Sequence, residues 1–278
     1  MLIACVQTDI AFADFDKNRR QLVQWMHQTG EKGANLVVMP ECMLSGYAYE
    51  SRTEAIEQAI SVHHPVFSEI GEIAKQYDMH VTFGFLEKDD DHLFNSVVMI
   101  GPAGIAGQYR KIHLPHLGVD RFVDRGDFAY QPFSAGPAKV GLAICYDSSF
   151  PEPMRVLALE GADIIALGTN WPSAAQRTAE IVPPARSMEN HIFFAAANRI
   201  GSEGGFEFCG HSSICGPDGV ILAQSHDAQP TILYADVDLE QARNKRIERT
   251  PGAHVIDRFQ DRCPRFYGAI TKKTTNNG

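Results

Sequence analysis

The chain has 278 residues, 44% of them hydrophobic, and a formal charge of −9 from 25 basic and 34 acidic side chains. That is enough apolar material for a sizeable core in one large domain or two small ones. The acidic balance argues against a basic nucleic-acid surface and gives no attraction to an anionic membrane. No apolar run reaches the roughly 18 residues that span a bilayer. Residues 1–10 lack the basic segment, apolar stretch and cleavage site of a secretory leader. The six cysteines (Cys5, Cys42, Cys145, Cys209, Cys215, Cys263) match neither a disulfide framework nor a zinc ribbon. A reduced, cytoplasmic setting is the expectation.

Strand and helix signals alternate along the chain. Residues 2–6 read as a short buried strand, followed by Leu22, Val23, Trp25 and Met26 at helical spacing. Residues 36–39 form a second buried strand, stopped by Pro40. Val66, Ile70, Ile73 and Ala74 predict a helix, and Val81, Phe83 and Phe85 alternate as a strand. Residues 97–100 and 105–109 flank Gly101-Pro102-Ala103-Gly104, a hairpin signal. The second half repeats this grammar. Residues 140–144 and 164–167 are strands, with a helix over 153–160 between them. A helix ends over 186–191, and 192–197 continue as a strand. Residues 212–215 and 220–223 flank Gly216-Pro217-Asp218-Gly219, a second GPxG hairpin in the corresponding place. The pattern predicts two similar halves and no linker. It reads as one α/β domain over 1–278, with two sheets face to face and helices outside. A tail from about 255 carries Phe259, Phe266 and Tyr267, which are candidates to pack on a partner subunit. Beyond Thr271 the chain is polar.

Three reactive side chains stand at the ends of three of these strands. Glu41 follows Pro40, Lys111 follows the strand ending near Tyr109, and Cys145 follows 140–144. Strand ends are where sites assemble in layered α/β folds. A free cysteine thiol has a pKa of about 8.5, so it needs help to become a nucleophile at neutral pH. A carboxylate can take its proton, and an ammonium can stabilise the thiolate. Lys111 and the Tyr146 N–H can hold the oxyanion that forms when the thiolate attacks an amide carbon. The same carboxylate can then protonate the leaving amine and activate water against the thioester. This scheme needs no metal and no cofactor. Taken singly, each residue also has a bland reading. A strand-end cysteine is more often a small buried hydrophobe, Glu41 a turn charge, and Lys111 a solvated edge residue.

The surrounding residues weigh against the bland reading. Met39-Pro40-Glu41 with Ser45-Gly46-Tyr47, Tyr109-Arg110-Lys111-Ile112-His113-Leu114, and Gly141 through Asp147 with Phe150-Pro151-Glu152 resemble three motifs of the nitrilase (carbon–nitrogen hydrolase) superfamily, in order. Gly168-Thr169-Asn170-Trp171-Pro172, Asn198-Arg199-Ile200-Gly201 and the hairpin over 210–219 resemble further segments of it. The resemblance implies a four-layer αββα sandwich of two mixed sheets, paired across a two-fold axis. It implies hydrolysis of a non-peptide C–N bond, with Glu41 as base, Lys111 as oxyanion stabiliser and Cys145 as nucleophile. One position departs from the pattern. Many members carry a second glutamate eight or nine residues after the lysine, where this chain has Val119 and Asp120. Asp120 is one methylene shorter, and either supports Lys111 or is a structural ion-pair residue.

Tyr47, Tyr146, Asn170 and Trp171 lie beside these motifs and are the candidate substrate-binding residues. His113 and His116 match no zinc spacing, and His113 reads as structural. Cys42 is expected to point away from Glu41 if the chain stays extended there. The Gly-rich 201–205 segment lacks the features of a phosphate loop and reads as a mobile loop. The leading function is an amidase releasing ammonia from a small carboxamide. N-carbamoyl cleavage and nitrile hydrolysis would use the same three residues. A catalytically silent interaction subunit is a different class, which the intact set of three argues against. A papain-like Cys–His hydrolase gives Lys111 no role.

Overall fold

The computed structural model describes residues 1–272, and the chain divides into two compact units, Met1–Arg243 and Asn244–Gly278. In the first unit the chain runs β1 (Leu2–Gln7), α1 (Phe15–Glu31), β2 (Leu36–Val38), α2 (Arg52–Glu57), α3 (Pro65–Tyr77), β3 (His80–Asp89), β4 (His92–Gly101) and β5 (Gly104–Arg110). It continues β6 (Pro132–Ala135), β7 (Ala138–Ile144), α4 (Pro151–Leu159), β8 (Ile164–Thr169), α5 (Gln176–Asn190) and β9 (Phe193–Asn198). The short strands β10 (Ser202–Glu203), β11 (Phe206–Glu207), β12 (Ser213–Cys215) and β13 (Ile221–Gln224) follow, then β14 (Thr231–Asp236) and α6 (Glu240–Arg243).

Two six-stranded mixed sheets result, ordered β14-β1-β2-β3-β4-β5 and β13-β12-β9-β8-β7-β6. Each is built around a parallel triplet, β1-β2-β3 and β7-β8-β9. Parallel neighbours need crossover connections, which α1 and the α2–α3 segment supply in one half and α4 and α5 in the other. The triplets are covered on both faces, so their strands are continuous apolar runs rather than alternating ones. Strands β1, β2 and β3 face β8 and β9 across the interior. This is the αββα sandwich expected. The halves correspond strand by strand, including the two GPxG hairpins. They differ at one edge. There β6 directly precedes β7, whereas the strand beside β1 is β14, which returns from far along the chain and pairs Leu2 with Asp236.

Local chemistry sets the helix ends. Asp14 caps α1 by accepting from Lys17 N, and Leu22 and Met26 are buried on its inner face. Pro65 opens α3, and Asp78 ends it in the left-handed region at φ 50°. Helix α4 starts at Pro151, two residues before the position expected from sequence. The short helix α2 was not foreseen. Residues 201–205, expected as a mobile loop, instead enter a tight antiparallel ribbon in which Glu203 pairs with Phe206. The second unit holds the hairpin β15 (Arg246–Thr250) and β16 (His254–Asp257). In it the Lys245 ammonium lies over the Phe259 ring, and Phe266 is 71% exposed.

Candidate active site

Glu41 leaves β2 through a tight turn. Met39 N donates to Thr82 O and Gly84 N to Pro40 O, which prolongs the pairing with β3. Two glycines make room for the turn. A Cβ at Gly84 would sit 2.3 Å from Cys42 N, and one at Gly168 would sit 2.9 Å from Met39 O. The first glycine is on β3 and the second on β8, so the Glu41 turn is held between the two sheets. Cys42 adopts φ 51° and is not extended. Its thiol lies 3.7 Å from Asn95 Oδ1, so it borders the cluster rather than pointing away from it.

Lys111 follows β5. Its N–H donates to Asn95 O at 2.8 Å and its carbonyl accepts from Gly126 N. Its side chain is fully buried. Nζ lies 2.7 Å from Glu41 Oε1 and 2.6 Å from Asp120 Oδ2. Asp120 sits in a 3-10 turn over Gly118–Arg121. Despite its shorter side chain it reaches the ammonium. Its Oδ2 also accepts from Tyr47 OH at 2.7 Å, and its Oδ1 accepts from Asn95 Nδ2 at 2.9 Å. Asn95 Nδ2 also donates to Glu41 Oε1 at 2.7 Å. Glu41 Oε2 is buried and has no hydrogen-bond partner among the described residues.

Cys145 ends β7 and opens a 3-10 turn over Cys145–Ser149. Its φ of 41° lies in the left-handed region, which costs a non-glycine residue energy and must be held by its surroundings. Asp147 Oδ2 accepts from Ile144 N at 3.0 Å, and Ser148 Oγ donates to Cys145 O at 2.7 Å. Asp147 ties this turn to the lysine segment. It accepts from Tyr109 OH at 3.0 Å and pairs with His113 Nδ1 at 2.7 Å. His113 stacks on Phe150 at 3.9 Å, which is the structural place expected for it. His116 lines a cavity of about 240 Å³ with Glu50, Arg121 and Phe206.

The charges act on one another strongly. Burial pushes the Cys145 thiol up to about 12, and the Glu41 charge adds to this. Lys111, the Thr169 side chain and the Asn170 N–H pull the other way. Burial also raises the Glu41 carboxyl above its ordinary range, against the pull of Lys111 and Asn95. Burial disfavours the Lys111 ammonium, but Asp120 and Glu41 outweigh it and hold its pKa well above that of a free lysine. The resting state is therefore a neutral thiol beside a lysinium. A proton moved from sulfur to Glu41 removes the charge that opposes the thiolate and leaves the one that favours it.

The remaining candidates occupy different places. Tyr47 is buried, with Lys111 Nζ 6.0 Å from its ring centre. Asn170 is 1% exposed, and neither end of its amide has a partner among the described residues. Trp171 is buried, and its backbone N–H donates to Asn198 Oδ1 at 2.8 Å. Tyr146 is 38% exposed and meets Phe150 edge to face. Asn95, Asp147 and Glu203 were not singled out from sequence. Glu203 accepts from Tyr47 N and Ala48 N at 2.6 and 2.5 Å and from the buried Arg199 at 2.6 Å. It clamps the segment that delivers Tyr47. No cluster of three or more metal-binding side chains occurs among the described residues.

A buried thiol after β7, an ammonium after β5, a carboxylate after β2 and a second carboxylate in the 118–121 turn are the groups that cysteine-dependent hydrolysis requires. Residues 2–247 match the model of the carbon–nitrogen hydrolase family. A nitrilase from Pyrococcus abyssi is 35% identical over 95% of this chain and 98% of its own. An N-carbamoylputrescine amidase from Solanum lycopersicum is 29% identical over 95% and 90%. An amidase from Nesterenkonia sp. AN1, solved with acrylamide added to its active-site cysteine, superposes with a TM-score of 0.77 at 25% identity, covering 88% and 96%. A carbon–nitrogen hydrolase from Helicobacter pylori shares the fold with a TM-score of 0.84 over 98% of each chain. This chain belongs to the carbon–nitrogen hydrolase family, within the nitrilase superfamily, and is an enzyme that hydrolyses C–N bonds.

Proposed function

We propose that the protein is an amidase that releases ammonia from a small carboxamide through a thioester on Cys145. The observation that carries this reading is the state of the Glu41 carboxylate. Lys111 and Asn95 both bind Oε1, while Oε2 is buried and unpartnered. A desolvated oxygen without a donor is a poised base. In the proposed cycle the Cys145 S–H bond breaks and its proton passes to Glu41 Oε2. The sulfur attacks the amide carbon, and Lys111 Nζ and the Tyr146 N–H take the charge on oxygen. Glu41 returns the proton to the leaving nitrogen as the C–N bond breaks. Water then gives a proton to Glu41 and adds to the thioester carbon, the C–S bond breaks to release the carboxylic acid, and Glu41 returns the proton to the Cys145 sulfur. Asp120 holds Lys111 through its Oδ2. Asn170, with its amide unspent, is the first choice to bind the substrate's polar groups, and Tyr47, Tyr146 and Trp171 complete the pocket.

An N-carbamoyl substrate fits the same chemistry, and the N-carbamoylputrescine amidases among the relatives favour it as the second reading. The Pyrococcus nitrilase makes nitriles the third class to test. We read the working form as a cytoplasmic homodimer or a multiple of one. No helix among the described residues is long and apolar enough to cross a membrane. The test is a panel of amides, N-carbamoyl amines and nitriles read by ammonia release, with wild type and Cys145→Ala in parallel. Cys145→Ala is expected to lose all turnover with a melt close to wild type. Turnover retained in that variant removes the thioester mechanism.

A further inference from the structure

Asn95 lies in the middle of β4, 1% exposed, between β3 and β5. Its backbone carbonyl accepts from Lys111 N, so it sets where the lysine leaves its strand. Its side-chain amide has two hydrogens, and the structure spends them on two different carboxylates. One goes to Glu41 Oε1 at 2.7 Å and the other to Asp120 Oδ1 at 2.9 Å. Lys111 Nζ bridges the same two acids from another side. Glu41, Lys111, Asp120 and Asn95 thus close a ring of hydrogen bonds.

The ring treats the two acids differently. Both oxygens of Asp120 have donors: Asn95 on Oδ1, Lys111 and Tyr47 on Oδ2. Glu41 has both of its donors on Oε1 and none on Oε2. Two donors on one oxygen fix the carboxylate plane, so the free oxygen has one direction. Lys111 alone would leave the Glu41 carboxylate free to turn about that single contact. On the reading of the site given above, we propose that Asn95 is a positioning residue: by bridging the two carboxylates it saturates Asp120 and leaves Glu41 Oε2 as the oxygen that takes the Cys145 proton.

The groups that bear on Glu41 come from several elements. They are Lys111 after β5, Asp120 in the 118–121 turn, Cys145 after β7, and Cys42 and Tyr47 of its own turn. Only Lys111 and Asn95 donate hydrogen bonds to it among the described residues. Removing the Asn95 donor takes away a bond to the charged form, which raises the Glu41 pKa. The base then stays protonated to higher pH.

The experiment reads Cys145 without any substrate. The rate of iodoacetamide labelling of the Cys145 peptide is followed by mass spectrometry across pH in wild type, Asn95→Leu, Asn95→Ser and Glu41→Gln. Wild type is expected to show an acid limb that Glu41→Gln abolishes. Asn95→Leu should move that limb up by about one pH unit. Asn95→Ser keeps one hydrogen to donate and should move it less. It also serves as the folded variant should leucine at this site prevent folding. A limb unmoved in the folded variants, with only the melt lowered, shows Asn95 to be structural and overturns the proposal. A wild-type limb that survives Glu41→Gln overturns the assignment of Glu41 as base, and the role of Asn95 with it. Loss of amide turnover alone leaves this readout intact, so the two failures are distinct.

Discussion

Lys111 is a cation that the site holds by its shape as well as its charge. Its Nζ meets two carboxylate oxygens at 2.7 and 2.6 Å, and the side chain is wholly buried. Arginine keeps the charge but is longer and planar, and presents its donors in a fixed fork. With Nζ already within hydrogen-bond distance of both carboxylates, the longer fork must push at least one of them aside. Lys111→Arg is therefore expected to fail nearly as badly as Lys111→Met. Losing one oxyanion donor costs about two to three powers of ten in rate. In Lys111→Met the thiolate loses its counter-charge as well, so there the loss should reach at least that size. Turnover of both variants on the best amide, with the melt measured alongside, checks this. Near-native turnover in Lys111→Arg would sink the oxyanion role. At this scale Glu41, Lys111 and Cys145 stood out in the sequence because each follows a strand within a recognisable motif. It did not disclose Asn95, whose partners lie 54 and 25 residues away, or decide whether Asp120 could reach Lys111. Contacts of that kind depend on strand order, which no local pattern encodes. Cys42 defeated the local argument because its φ is positive, so the alternation of an extended chain does not apply.

Among the elements, the two sheets meet at glycines rather than at large side chains near the site. Gly84 on β3 and Gly168 on β8 both lie against the backbone of the Glu41 turn. A methyl group at Gly84 would stand 2.3 Å from a main-chain nitrogen, and backbone cannot swing aside as a side chain can. Gly84→Ala is expected to cost about 1–3 kcal/mol or more and to depress turnover, because Glu41 must move. Gly168→Ala, with its nearest contact at 2.9 Å, should do the same more mildly. Gly71 in α3 is the control. A methyl there meets only ordinary contacts at 3.9 Å, and alanine is the better helix former by about 0.5–1 kcal/mol. Gly71→Ala should raise the melting temperature and leave turnover alone. If Gly84→Ala is as active as Gly71→Ala, the Glu41 turn is not gripped as described. The strands of the two parallel triplets and the helices α1, α3 and α4 were legible because buried parallel strands are short apolar runs and their helices carry the 3.6-residue period. The edge strand β14 was not, because its partner β1 lies at the other end of the chain. Nor was the β10–β11 ribbon, whose glycines read as loose while Glu203 is buried and anchored by Arg199.

For the whole molecule the question is what covers the outer side of the second sheet. Val156 and Leu159 on α4 are exposed, three residues apart and so on one face. Ile181 and Met188 on α5 are exposed, seven apart and again on one face. Val220, Ile221 and Leu222 are exposed in the β12–β13 hairpin. The elements that carry them are neighbours. Arg155 of α4 donates to Glu189 O of α5 at 2.6 Å, and a Cβ at Gly219 of the hairpin would lie 3.0 Å from Met188 Cβ. Exposed apolar side chains on neighbouring elements of this kind make a candidate association site. A second copy of the chain is the simplest cover, since a two-fold axis lets the same patch meet itself. Light scattering at micromolar concentration should give at least twice the 30.7 kDa of one chain. Met188→Glu, which places a charge in the patch on an exposed side chain, should shift the mass toward one chain without lowering the monomer's own melt. A wild-type mass of one chain at that concentration would remove the homodimer from the reading and leave the patch to another partner.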